Sequence, residues 1–93
     1  MAKTPEWLKY NDDGSVDITL SKPSIVSGVK TSTVRMREPL VQDQEAAAEM
    51  AGSDAAREIT VFANLCDLAP EDIRKLPMRE FKRLQTAYLG FID

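Results

Sequence analysis

Apolar residues return at every second position before Pro39 and at every third or fourth position after it, and this change of period confines the chain to a small sheet followed by helices. Val16, Ile18 and Leu20 alternate with Asp17 and Thr19, the spacing of a strand with one buried face. Val34 and Met36 alternate with Arg35 and Arg37, after the β-branched Thr31 and Thr33. Pro23 is expected to stop the first strand or begin a turn. Ser27-Gly28 reads as a hairpin tip, because glycine accepts the positive φ that such turns require. The expectation is an antiparallel meander with strands near 16–21, 24–27 and 30–37. Three strands alone are marginal, so helices must pack on them.

Those helices are legible beyond Pro39. Leu40 to Ala51 is built from good helix formers and is followed by Gly52, a residue suited to the position just past a helix end. Ser53 reads as the N-cap of a second helix, with Asp54 at its positive end. Ala55, Ile59, Phe62 and Cys66 share one face of it. Pro70, Glu71 and Asp72 open a short third helix, although Ala69 is a poor cap. Leu76-Pro77 ends it, because the residue before proline is pushed out of the α region. The last helix runs near 77–91, with Phe81, Leu84, Tyr88 and Ile92 on one face. The fold class is therefore α+β: an N-terminal meander over residues 16–37, packed on three to four short helices within residues 40–91. Residues 1–15, which end in the turn signal Asn11-Asp12-Asp13-Gly14-Ser15, are expected to form a flexible tail with Trp7 as its most mobile aromatic. Residues 16–93 are expected to form a single domain.

Composition narrows the chemistry. Histidine is absent and Cys66 is the sole cysteine. Ser–His–Asp and Cys–His catalysis are excluded, and a zinc site lacks its usual ligands. Cys66 reads as a small buried hydrophobe. Glu71-Asp72 cannot act as a catalytic carboxylate pair, because neighbours on a helix point about 100° apart. Asp12-Asp13 lies in a turn. The four glycines are scattered at 14, 28, 52 and 90, so no phosphate loop exists. The expected reading is no enzyme, no metal and no cofactor. Twelve basic against fifteen acidic residues give a net charge of −3, the wrong sign for a nucleic-acid binder. The acid is concentrated: residues 38–69 hold seven acidic side chains and one basic one. No apolar run reaches the ~20 residues needed to cross a bilayer, and Met1 to Glu6 does not resemble a signal peptide. The expected compartment is the cytoplasm.

The last two helices carry the candidate surface. Arg74, Lys75, Arg79, Lys82 and Arg83 bracket a helix–proline–helix joint, but Glu71, Asp72 and Glu80 are mixed among them. A solvated charged face fits better than a DNA reader. Phe81, Leu84 and Tyr88 belong at the centre of a broad apolar stripe. The edge of the stripe either completes the core or stays exposed for a partner or for self-association.

Three segments in order carry a resemblance: Ile18-Thr19-Leu20-Ser21-Lys22-Pro23, Val34-Arg35-Met36-Arg37-Glu38-Pro39, and Leu76-Pro77-Met78-Arg79-Glu80-Phe81-Lys82-Arg83-Leu84-Gln85. With the intervening Ala51-Gly52-Ser53-Asp54, they resemble the Mu-like phage tail assembly chaperone family over about residues 16–91. The chain departs from the pattern at Leu40, where Thr is expected, and in its Trp7-containing extension. The resemblance implies a non-enzymatic chaperone in the cytoplasm of a bacterial host. It would bind the tape-measure protein and keep it soluble while tail tube subunits polymerise. A longer frameshifted form would contact the tail tube protein. On this reading the contact residues are Leu76, Met78, Leu89, Phe91 and Ile92, with Arg79 and Arg83 as a charged rim. The rival expectations are a structural tail component and a small regulatory DNA-binding module.

Overall fold

The computed structural model describes residues 4–92. The elements, in chain order, are β1 (Leu8–Tyr10), β2 (Val16–Val26), β3 (Val29–Met36), α1 (Val41–Glu49), α2 (Asp54–Cys66), α3 (Pro70–Arg74) and α4 (Met78–Ile92). The strands form one antiparallel meander in the order β1-β2-β3. The α+β class stands: a three-stranded sheet followed by four helices.

The sheet is reached by a different division of the chain. The stretch expected to be a flexible tail contains β1, which pairs Leu8 with Ile18 and Tyr10 with Val16. Residues 1–3 of that tail lie outside the described residues, as does Asp93. The turn at 11–15 closes the first hairpin. Asp13 accepts the Ser15 N–H and hydroxyl at 2.9 and 2.6 Å, and Gly14 takes φ +93°. These Ser15 bonds hold the exposed Asp13 carboxyl below the usual range. Trp7 is half-buried, and the Arg83 guanidinium lies 4.5 Å from its ring centre. Tyr10 donates its hydroxyl to the Ala87 carbonyl at 2.9 Å and meets Phe91 edge-on at 5.4 Å. That approach needs glycine at position 90, where an added Cβ would run into the Tyr10 hydroxyl.

Pro23 does not stop β2. The strand continues to Val26, but its register slips between Thr19, opposite Thr33, and Ser24, opposite Thr31. Four residues of β2 therefore face one of β3, forming a wide bulge. Proline is tolerated there because no ladder bond needs its missing N–H. At the tip, Ser27 and Gly28 both take positive φ, +52° and +80°, as a type I′ turn demands. The Ser27 hydroxyl donates to Asp72 at 2.6 Å and ties the hairpin to α3.

One sheet face is the core. Leu8, Val16, Ile18, Val34 and Met36 are buried against Phe62, Ala63, Leu65, Leu84 and Ala87 of α2 and α4. The other face is polar, and Asp17 pairs with Arg35 across the strands at 2.8 Å. Ser53 caps α2 through its Ala56 N–H, and Asp67 ends it in the left-handed region. Leu40 and Ala69 supply no capping oxygen. Instead, Asp43 and Asp72 accept the Leu40 and Ala69 N–H groups at 2.7 and 3.0 Å. The third helical residue thus provides half a capping box in each case.

Candidate partner surface

Helix α4 has two faces, and the structure turns it differently from the sequence expectation. The side chains buried on it are Glu80, Leu84 and Ala87, with Phe91 half-buried alongside. Phe81 and Tyr88, expected at the centre of the core, are half-buried flanks on either side of Phe62. Their ring centres lie 5.5 and 5.6 Å from the Phe62 ring. Ile92, expected at the edge of the apolar stripe, is 59% exposed. The rotation follows from contact with β2, which draws the line of Glu80, Leu84 and Ala87 onto the sheet.

Opposite lies an outer stripe at heptad spacing: Met78, Lys82, Gln85, Leu89 and Ile92. Met78 and Leu89 are 65% and 53% exposed. Gln85 is held by a bond from its amide to Glu58 of α2 at 3.0 Å. Of the expected contact residues, Met78, Leu89 and Ile92 fall on this stripe. Leu76 is a buried core residue that floors a cleft of about 250 Å³ shared with Ile59, Ile73, Met78 and Phe81. Phe91 faces Tyr10.

Arg79 and Arg83 do not rim the stripe; they serve the β2 bulge. The bulge leaves the Ser21 and Lys22 N–H groups without ladder partners, and α4 supplies the acceptors. The Glu80 carboxylate accepts the Ser21 N–H at 2.9 Å, the Ser21 hydroxyl at 2.9 Å and the Lys22 N–H at 3.2 Å. Arg79 Nε donates to Ser21 Oγ at 3.0 Å and lies 3.7 Å from Glu80. Arg83 donates to the Thr19 carbonyl at 2.7 Å. Burial alone raises the Glu80 carboxyl. Its hydrogen bonds from Ser21 and Lys22, helped by the Arg79 charge, more than offset that and hold it below the ordinary range. Glu80 escaped the sequence reading, although its spacing to Leu84 and Ala87 placed a carboxylate in the buried stripe.

Three further acidic groups are tied into the fold. Glu71 pairs with Arg74 at 2.7 Å. Asp72 is held low by the Ser27 hydroxyl and the Ala69 N–H, and Asp43 by the two-point Arg37 pair. Among the described residues, no three His, Cys, Asp or Glu side chains stand together to hold a metal. No described helix is long and apolar enough to cross a membrane. Cys66 is buried, and desolvation pushes its thiol up to about 12. It is therefore expected to react with a thiol reagent only as the chain opens. Rapid labelling of the native protein would contradict its placement.

The outer side of the sheet-backed helical layer thus carries exposed apolar side chains beside a cleft. The chain belongs to the phage tail assembly chaperone family described as "Phage tail assembly chaperone proteins, E, or 41 or 14", whose sequence model matches residues 17–93. No curated protein and no solved structure matches the chain.

Proposed function

We propose that this protein binds the tape-measure protein of a phage tail, keeping it soluble in the host cytoplasm while tube subunits polymerise around it. One observation carries the reading: the heptad-spaced stripe of Met78, Leu89 and Ile92 is exposed on a helix whose opposite face is core. Such a stripe matches one apolar face of a second helix, the mode by which helices are recognised in grooves. Several weak apolar contacts along a long client mask it and still yield to a tightly packed tube. The role is one of binding without catalysis. The DNA-binding alternative is weakened by the arginines, since Arg74 is paired with Glu71 while Arg79 and Arg83 are spent on the β2 bulge.

Replacing Leu89 and Ile92 together with serine tests the proposal. Both side chains are exposed, so the far-UV spectrum and thermal midpoint are expected to stay near native. Each lost apolar contact is worth ~1–2 kcal/mol at the centre of an interface. Co-expressed tape-measure protein is then expected to shift largely into the insoluble fraction. Undiminished solubility with the folded double variant would remove α4 from the mechanism. Mass spectrometry of purified virions separates the chaperone from a structural tail component, which would be retained in the particle.

A further inference from the structure

The last turn of α4 is weakened by its own sequence. Gly90 lies inside it, and glycine is among the poorest helix formers. Among the described residues, this turn has no basic side chain to answer the negative end of the helix dipole. Leu89, Gly90 and Ile92 are exposed, and half-buried Phe91 is the one side chain of the four that turns inward.

Strand β1 supplies what the turn lacks. Tyr10 donates its hydroxyl to the Ala87 carbonyl at 2.9 Å, three residues before Gly90, and its ring meets Phe91 edge-on at 5.4 Å. One turn earlier, Arg83 lies 4.5 Å from the Trp7 ring centre and donates to the Thr19 carbonyl at 2.7 Å. The Thr19 N–H in turn donates to the Trp7 carbonyl at 2.8 Å. Two aromatics of one short strand thus hold α4 at points four residues apart, and buried Leu8 between them anchors that strand in the core. The residue that weakens the helix is also the one that admits Tyr10, because a Cβ at position 90 would meet both its hydroxyl and its ring. β1 lies ahead of residue 17, where the family match begins, so the family assignment says nothing of its role.

We propose that β1 is a clamp on α4, with Tyr10 as a positioning residue for the last turn and so for Leu89 and Ile92 of the outer stripe. With Tyr10 docked, the turn is helical and both side chains stand in line with Met78. Without it, the turn frays and the stripe loses its C-terminal half. The proposal rests on the chaperone reading and adds to it the device that presents the surface.

Amide hydrogen exchange on the full chain, read by NMR, tests the clamp. Tyr10→Phe keeps the ring and loses the hydroxyl. Exchange at residues 89–92 is expected to quicken about threefold to tenfold, with Ile18 and Leu65 unchanged. Gly90→Ala makes the test specific. Alanine favours helix, so in a Tyr10→Ala background it is expected to slow exchange in the last turn. Beside Tyr10 the added Cβ displaces the hydroxyl, so the same change is expected to give no such gain. Equal slowing in both backgrounds, or unchanged exchange in Tyr10→Phe, would overturn the proposal. Co-expressed tape-measure protein supplies the second readout. Tyr10→Phe is expected to lower its solubility at a near-native thermal midpoint, an effect that a role confined to stability would not produce. Full client solubility with Tyr10→Phe, while the Leu89 and Ile92 serine variant loses it, would overturn the clamp and leave the chaperone reading standing. Full solubility with both variants, alongside faster exchange in Tyr10→Phe, would support the clamp on the helix and overturn the client reading.

Discussion

Glu80→Ala is expected to cost the fold about 3–5 kcal/mol, a large share of the ~5–15 kcal/mol that stabilises a domain of this size. The side chain is wholly buried. Its removal leaves the Ser21 and Lys22 N–H groups and the Ser21 hydroxyl without their shared acceptor, and a hydrogen bond to a charged group contributes about 1.5–3 kcal/mol. Glu80→Gln keeps the shape but turns an amide N–H toward one of the same donors, so it is expected to recover only part of the loss. The pH dependence follows with a definite sign. The folded-state carboxyl of Glu80 is held below its ordinary value, as are those of Asp17, Asp43 and Asp72. The unfolded chain therefore binds protons first as pH falls. The stabilisation is fully present above the ordinary carboxylate range, about pH 4–5, and is lost as pH drops through the lowered folded values. Urea midpoints at neutral pH and near pH 3 measure this, and in Glu80→Ala the difference is expected to shrink. An unchanged midpoint for Glu80→Ala at neutral pH would contradict the bulge account.

Phe62→Ala is expected to be equally severe, at about 3–5 kcal/mol. Phe62 is 1% exposed and packs against the rings of Phe81 and Tyr88. Truncation removes the ring that both flanking aromatics rest on, leaving a cavity the rigid sheet cannot fill. Phe81→Ala is expected to cost less, because half-buried Phe81 borders the cleft near Met78. Chemical denaturation of both variants gives the comparison. A larger loss at Phe81 than at Phe62 would place the centre of the core wrongly.

Much of the fold was legible because its signals are local. The alternation of Val16, Ile18 and Leu20, and of Val34 and Met36, needs no knowledge of the partner to mark a buried face. Ser53, Pro70 and the Ser27-Gly28 tip act on their own neighbours. What escaped depends on contacts distant in sequence. A three-residue strand shows too few positions for a period, and β1 is held by Ile18, Val16 and the Ala87 carbonyl. Pro23 reads as a stop unless the chain beside it is known to bulge. Arg79 and Arg83 read as solvated cations because nothing local shows the strand bulge they serve. The placement of Met78, Leu89 and Ile92 was half legible: their apolar character was visible, but contact with β2 set which way the helix turned.

The central claim, that the outer stripe of α4 meets the client, is tested most directly by site-specific photo-crosslinking in cells that also make the tape-measure protein. A photoreactive residue at Leu89 is compared with one at Val29, on the hairpin at the far end of β2. The two sites are 53% and 63% exposed, so accessibility does not favour the α4 position. The account predicts a covalent adduct with the tape-measure protein from position 89 and none from position 29. An adduct from position 29 alone, or from neither site, would contradict it.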